Sequence, residues 1–172
     1  FVFMDSLFGV NNFKQIGGGF STFQIWPHIA GTTNGNLVMA ASLTDFIYDG
    51  SRTTYNGETW TAFTNMPLIN GPSGNFDVAS GTNGKVAIIG TDYLNETNKM
   101  SCYRSDNNGL SFDPGSVIIP YVVKEGDTLY ANVIGGYQAV YDNSGNLHVV
   151  FAAYNYNPNA IFSNFRTIAF VK

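Results

Sequence analysis

An all-β fold built from a repeated antiparallel unit is the architecture this chain predicts, and three observations predict it. One is composition: 44% apolar residues with only 12% charged, 15% aromatic residues and 19 glycines suit short strands joined by tight turns better than helices. Another is a hairpin pattern that occurs three times, as Ile29-Ala30-Gly31-Thr32-Thr33-Asn34-Gly35-Asn36-Leu37-Val38-Met39-Ala40, as Val78-Ala79-Ser80-Gly81-Thr82-Asn83-Gly84-Lys85-Val86-Ala87-Ile88-Ile89, and as Ala139-Val140-Tyr141-Asp142-Asn143-Ser144-Gly145-Asn146-Leu147-His148-Val149-Val150. Each copy is a short apolar strand, a turn ending in Asn-Gly or Ser-Gly, and a second apolar strand. Asn and Gly tolerate the positive φ that tight hairpin turns demand, so the pattern is the sequence form of a β-hairpin. The remaining observation is a pair of matching segments, Thr53-Thr54-Tyr55-Asn56-Gly57-Glu58-Thr59-Trp60 and Ser105-Asp106-Asn107-Asn108-Gly109-Leu110-Ser111-Phe112. Both read hydroxyl, any, polar, any, Gly, any, hydroxyl, aromatic, and they stand roughly 50 residues apart, a period typical of repeat architectures.

Taken in order, residues 1–24 alternate at Phe1-Val2-Phe3-Met4 and Gly19-Phe20-Ser21-Thr22-Phe23 and read as outer strands of a preceding unit. Gly17-Gly18-Gly19 lacks the Lys-Ser/Thr of a phosphate loop, so it reads as a turn. A first unit over 25–67 has its hairpin, a strand at 46–52, the glycine turn from Thr53, and a fourth strand opened by Trp60. A second over 74–120 repeats this with a strand at 100–104 and a fourth strand opened by Phe112. An incomplete unit over 133–172 has its hairpin and then a third strand at 161–172. Four antiparallel strands per unit match one blade of a β-propeller, so the chain reads as a propeller segment of about three blades. Because it opens and stops in mid-blade, the expectation is a piece of a longer ring, with a ring shared by several copies of the chain as the alternative.

The two glycine turns resemble Asp-boxes, the repeats of sialidases and of the wider BNR-repeat propeller family, whose usual form is Ser/Thr-x-Asp-x-Gly-x-Thr-Trp. Thr53, Gly57, Thr59 and Trp60 fit that form, as do Ser105, Gly109 and Ser111; Tyr55 and Asn107 stand where the Asp belongs, and Phe112 replaces the Trp. These residues are a folding device: the Gly relaxes a positive-φ turn, short hydroxyls bond turn backbone, and the aromatic covers a neighbouring blade edge. The resemblance also implies what sialidase chemistry would need, namely three Arg on a carboxylate, a Tyr–Glu nucleophile pair and an Asp acid/base. Only Arg52, Arg104 and Arg166 are present, and Arg52 and Arg104 immediately precede the glycine turns. The family's Arg-Ile-Pro segment has only Gln24-Ile25-Trp26-Pro27 as an echo, so no catalytic residues are expected here. The texture is similar to that of secreted bacterial surface propellers, including cargo of large secretion systems, which implies a secreted or cell-surface location.

The remaining features narrow the function further. A net charge of −4 without a basic stripe would repel a phosphate backbone, which argues against nucleic acid. No run of apolar residues is long enough to span a bilayer as a helix, and no secretory leader pattern opens the chain. Cys102 is the sole cysteine and sits in a strand-like run, which predicts a small buried hydrophobe rather than a reactive thiol. His28 and His148 lack metal-ligand spacing. Asp142-Asn143-Ser144-Gly145-Asn146 looks superficially like a calcium loop, but its Gly falls too early and an acidic twelfth ligand is missing, so a hairpin turn accounts for it better. Neither a metal nor a cofactor is expected. Asn95-Glu96-Thr97 is a formal glycosylation sequon.

Binding is expected on the links opposite the hairpin turns, at 42–45, 62–76, 90–99, 113–132 and 152–160, because loops on a rigid scaffold carry function. Tyr154, Tyr156 and Asn157 offer rings and amides suited to sugar stacking and hydrogen bonding. Tyr93 and Glu96 on one link, and Tyr121 with Lys124, Glu125 and Asp127 on another, are candidates of the same kind. The expected function is a non-catalytic module binding a glycan or a protein. The alternatives are part of a sialidase-like hydrolase whose catalytic residues lie in other blades, and a passive segment of a larger secreted protein.

Overall fold

The computed structural model describes residues 2–5, 13–16, 24–43, 48–53, 60–62, 76–92, 99–113, 116–119, 122–124, 127–131, 137–155 and 165–171, with side chains described within 28–40, 77–90, 101–113 and 138–150. Among the described residues the fold is all-β, with antiparallel sheets and no helix; none is therefore long and apolar enough to cross a membrane. Strands β1 (Val2–Asp5) and β2 (Phe13–Ile16) form a two-stranded ribbon. A first sheet follows as the meander β3 (Gln24–Gly31), β4 (Leu37–Leu43), β5 (Tyr48–Thr53) and β6 (Trp60–Ala62). The second is the meander β7 (Phe76–Ser80), β8 (Val86–Asp92), β9 (Lys99–Ser105) and β10 (Ser116–Ile119). The third contains β11 (Val122–Lys124), β12 (Asp127–Ala131), β13 (Tyr137–Tyr141), β14 (Leu147–Asn155) and β15 (Phe165–Val171).

In the third sheet β14 is flanked on one side by β13 and β12 in succession and on the other by β15. Two sequence expectations change here. Val122–Lys124 and Asp127–Ala131 form a hairpin rather than a link, and β14 continues to Asn155, so Asp127 and Tyr154 stand on strands. The physical reason is long-range pairing: Leu129, Tyr130 and Ala131 take Asn155, Tyr154 and Ala153 as partners, which converts both segments from exposed backbone into ladder. A third difference concerns Phe112, which lies in the turn before β10 rather than opening that strand.

The three sheets stack through their first strands, since β7 packs against β3 on one side and β13 on the other. The alternation of period 2 gives the second sheet two apolar faces. Val78, Ile88 and Tyr103 are register partners on one face, and with Val86, Phe112 and the first sheet's Val38 and Ala40 they form one buried cluster. Asp77, Ile89 and Cys102 are register partners on the other face, where Tyr141 of the third sheet lies against Gly81. Met39, Ile88, Ile89, Val38 and Val86 are fully buried, each contributing about 1.5–3 kcal/mol by removal from water.

Cys102 is buried in this inter-sheet layer, and burial pushes its thiol up to about 11. The thiolate fraction at neutral pH is then negligible, which makes the side chain a small hydrophobe. Burial likewise raises the Tyr141 phenol to about 12.

Candidate functional site

Two ends of the sheets compete for a binding role, and the hydrogen bonds separate them. At one end lie the three hairpin turns and the 105–112 turn. Within the latter, Ser105 Oγ accepts the backbone N–H of Gly109 at 3.0 Å and of Asn107 at 3.3 Å, while its own hydroxyl donates to Asn107 Oδ1 at 2.8 Å. Asn107 Oδ1 also accepts Ser111 N–H at 3.0 Å, and Asn107 Nδ2 donates to Ser111 Oγ. Asn108 and Gly109 both have positive φ, 59° and 78°, the conformation for which Asn and Gly are the least costly residues. Asp113 N–H closes the turn on Arg104 O.

The turns of successive sheets are then bonded to each other. Thr33 Oγ1 of the first sheet's turn donates to Asn108 Oδ1 of the second at 2.9 Å and Lys85 Nζ of the second donates to Gly145 O of the third at 2.9 Å, while Asn108 N–H ties two turns within the second sheet by donating to Gly84 O at 2.8 Å. Polar groups at this end are therefore occupied in holding the sheets together.

The third hairpin turn is organised by one carboxylate. Asp142 Oδ1 accepts Ser144 N–H and Asn146 N–H, and Oδ2 accepts Asn146 Nδ2 and lies 2.9 Å from His148 Nε2. With Gly145 at φ 80°, the segment that superficially resembles a calcium loop is a closed hairpin turn. The His148 bond, ahead of those from Asn146 and Ser144, holds the Asp142 carboxyl well below the usual carboxylate range. A depressed pKa means that this contribution to stability is present above the unfolded value of 3.8 and is lost as pH falls through the folded one. Asp142→Asn is accordingly expected to cost stability at neutral pH, with the gap from the parent narrowing as pH drops below about 4; urea melts at stepped pH measure it, and a constant gap would refute the assignment.

Across the first strands runs a second polar row. His28 Nδ1 on β3 lies 3.0 Å from Asp77 Oδ1 on β7, and facing a carboxylate oxygen that nitrogen carries the proton. Asp77 Oδ1 also accepts Val78 N–H at 2.9 Å, and Oδ2 accepts Ala139 N–H of β13 at 2.7 Å. One carboxylate thus touches all three sheets. Sequence reading places His28 on a strand but has no signal for a partner 49 positions away.

At the opposite end lie the links. Register puts Tyr130 of β12, Tyr154 of β14 and Phe165 of β15 side by side across three strands, with Arg166 paired to Ala153 one step inward. Paired positions share a face of a sheet, so three aromatic residues form a row there. Asp127 pairs with Lys124 at the adjacent hairpin end. Sequence reading puts Tyr130 on the 113–132 link and Phe165 on a strand, and nothing in the chain's local pattern announces that they flank Tyr154. Of the other sequence candidates, Tyr93, Glu96, Tyr121, Tyr156 and Asn157 lie outside the described residues, as do Tyr55, Gly57 and Thr59; Thr53 and Trp60 pair with each other across β5 and β6. Among the described residues no group of three or more His, Cys, Asp or Glu is arranged to hold a metal.

Comparison with known proteins returns no matching family model and no matching curated protein. Solved structures do match. A polysaccharide lyase of a new family, an ulvan lyase solved bound to a GlcA(1-4)Rha3S saccharide, superposes with a TM-score of 0.52 at 10% identity, over 75% of this chain and 32% of that one. A second ulvan lyase structure of that new family gives 0.52 at 9% identity. A protein of unknown function from Dyadobacter fermentans gives 0.52 at 14% identity, over 91% of this chain and 53% of the other. The likeness is one of fold. The chain spans about a third of the lyase and about half of the Dyadobacter protein.

Proposed function

We propose that this chain is a β-propeller segment that binds a glycan at the link end of its sheets and has no catalytic role of its own. The aromatic row Tyr130, Tyr154 and Phe165 carries the proposal. Pyranose rings present apolar C–H faces that stack on aromatic rings, while equatorial hydroxyls and carboxylates seek amide, hydroxyl and guanidinium partners. The row supplies the stacking surface and the Tyr130 and Tyr154 hydroxyls the polar partners, while Asn155 and Arg166, one step along their strands, belong to the other face of the sheet. The turn end is held by inter-sheet bonds and has fewer polar groups to offer. A shared fold with a lyase solved bound to an acidic saccharide supports a carbohydrate ligand of that kind. The two glycine turns are Asp-box-like folding devices in this reading, and the protein acts outside the cell, where such polysaccharides occur.

The test is titration calorimetry with an acidic oligosaccharide of the glucuronate–sulfated rhamnose type and with a neutral glucan of equal length. Binding of the acidic ligand is expected, weakened about tenfold by Tyr154→Ala, which corresponds to about 1.4 kcal/mol. Chain cleavage of the acidic polysaccharide by this polypeptide alone would replace the binding reading with a lyase one, and absence of binding to both ligands would refute a glycan role.

A further inference from the structure

The hairpins, aligned on their turns, show how each sheet receives the next. Position by position, His28, Ala30, Val38 and Ala40 of the first sheet correspond to Asp77, Ala79, Ala87 and Ile89 of the second and to Gln138, Val140, His148 and Val150 of the third. Each set shares one face of its sheet. In the first sheet that face is seated against the second: Val38 and Ala40 are 0% and 1% exposed, in a cluster with Val78, Ile88 and Tyr103. In the second it lies against the third, and Ala79, Ala87 and Ile89 are buried. In the third, Val140 and Val150 are 60% and 41% exposed, with Gln138 exposed beside them.

A polar side chain makes the reach from each first strand to the next. His28 Nδ1 meets Asp77 Oδ1, and Asp77 Oδ2 accepts Ala139 N–H. Gln138 stands at the corresponding position, and its amide oxygen can accept a backbone N–H as Asp77 does. The rear of the stack offers no complementary seat for this face, because Met39, which pairs with Ile29 on the rear face of the first sheet, is 1% exposed. The exposed face therefore calls for a sheet of its own and not for the first sheet of a second copy.

We propose that the turn half of this face is the docking surface for a further antiparallel sheet of the same repeat, carried by the same polypeptide. The three sheets succeed one another along the chain and each is seated on the one before it, so a fourth continues an interface that already occurs twice. Val140 and Val150 take the place of Ala79 and Ile89, and Gln138 Oε1 accepts an N–H of the incoming first strand, as Asp77 accepts that of Ala139. That strand presents an apolar residue at the position of Val78 and Ala139. The aromatic row lies on the same face but outside the seat. Tyr154 stands four positions beyond Val150 on β14, about 13 Å along the strand, whereas the buried positions of the two existing interfaces correspond to Val140, His148 and Val150. Docking at the turn half leaves the row at the link-end margin, so the proposal stands independently of glycan binding.

Cysteine accessibility in the full native polypeptide tests it. Val140→Cys and Val150→Cys are expected to react with a maleimide at least about tenfold more slowly than Leu110→Cys on the exposed 105–112 turn, because a thiol under a packed sheet reacts only when the interface opens. Rates as fast as that of Leu110→Cys overturn the proposal. Gln138→Ala in the Val140→Cys background is expected to speed the labelling, and an unchanged rate refutes the Gln138 contact. Benzoylphenylalanine in place of Val140 then identifies the occupant by photocrosslinking. A crosslink within one polypeptide, to a hairpin of the same apolar, turn, apolar pattern outside residues 1–172, is expected. Capture of a second copy or of a different protein, or crosslinks confined to residues 1–172, refutes the arrangement. Tyr154→Ala is expected to leave the slow labelling of Val140→Cys unchanged while weakening the saccharide, so the failure of one reading is distinguishable from the failure of the other.

Discussion

Gly109→Ala is expected to lower the stability of the chain by about 2–5 kcal/mol, from two penalties acting at one position. The backbone there has φ 78°, where an L side chain brings its Cβ close to the carbonyl oxygen at about 1–2 kcal/mol. The added methyl would also lie 2.6 Å from Val38 Cγ2. Val38 belongs to the first sheet and is fully buried, so the clash is with a wall that cannot retreat, and overpacking of this kind costs about 1–3 kcal/mol. Gly145→Ala separates the two terms. Its φ is 80°, but the new Cβ would meet only the Lys85 side chain, nearest at Nζ, which can swing away. Gly145→Ala should therefore cost about 1–2 kcal/mol for the backbone, with only the displaced Lys85–Gly145 bond added to it. Urea unfolding of the two variants measures the difference. Combining Gly109→Ala with Val38→Ala should be less damaging than the sum of the single effects, a positive coupling expected of groups in direct contact; simple additivity would show that the collision with Val38 is not what the methyl costs.

The same residue shows why some of this fold was legible in the sequence. A glycine turn flanked by hydroxyls and an aromatic is specified by its own eight residues: Ser105, Asn107 and Ser111 bond within the turn, and Gly109 supplies the φ. Hairpins β3–β4, β7–β8 and β13–β14 are equally local, fixed by Asn-Gly or Ser-Gly between apolar runs. What could not be read is the pairing between distant segments. Val122–Lys124 and Asp127–Ala131 are short, and their strand character comes from β14, more than 20 residues downstream. Phe112 matched its motif position, yet the strand it was expected to open begins at Ser116, because its ring is drawn into the cluster with Val38 and Val86. The candidate site divides in the same way. Tyr154 was identifiable from an aromatic and amide-rich run, whereas its flanking Tyr130 and Phe165 became neighbours only through register.

Asp77→Ala is the second large effect expected, about 2–4 kcal/mol, and it follows from the one carboxylate that touches all three sheets. Its oxygens accept Val78 N–H and Ala139 N–H and hold His28 Nδ1, at 2.7–3.0 Å, with the side chain mostly shielded from water. A hydrogen bond to a charged acceptor is worth about 1.5–3 kcal/mol, and a buried donor stripped of its acceptor costs about 1–3 kcal/mol. Two backbone donors lose this acceptor together, one of them in the neighbouring sheet. Asp77→Asn should be milder. The amide keeps one oxygen, which can stay on Ala139 N–H, and its Nδ2 can donate to His28 if that ring changes tautomer to present an unprotonated Nδ1. The two variants therefore predict different structural consequences as well as different stabilities. Asp77→Ala should loosen the third sheet from the second, raising hydrogen exchange at Ala139 and along β13, while Asp77→Asn preserves protection there and alters chiefly the His28 ring signals in a nitrogen-detected spectrum. Equal exchange in the two variants would mean that the Ala139 bond does not fasten the sheets. The second and third sheets would then be held by the Ile89, Cys102 and Tyr141 layer and the Lys85–Gly145 bond, and a polar row aligned across three first strands would serve orientation rather than cohesion.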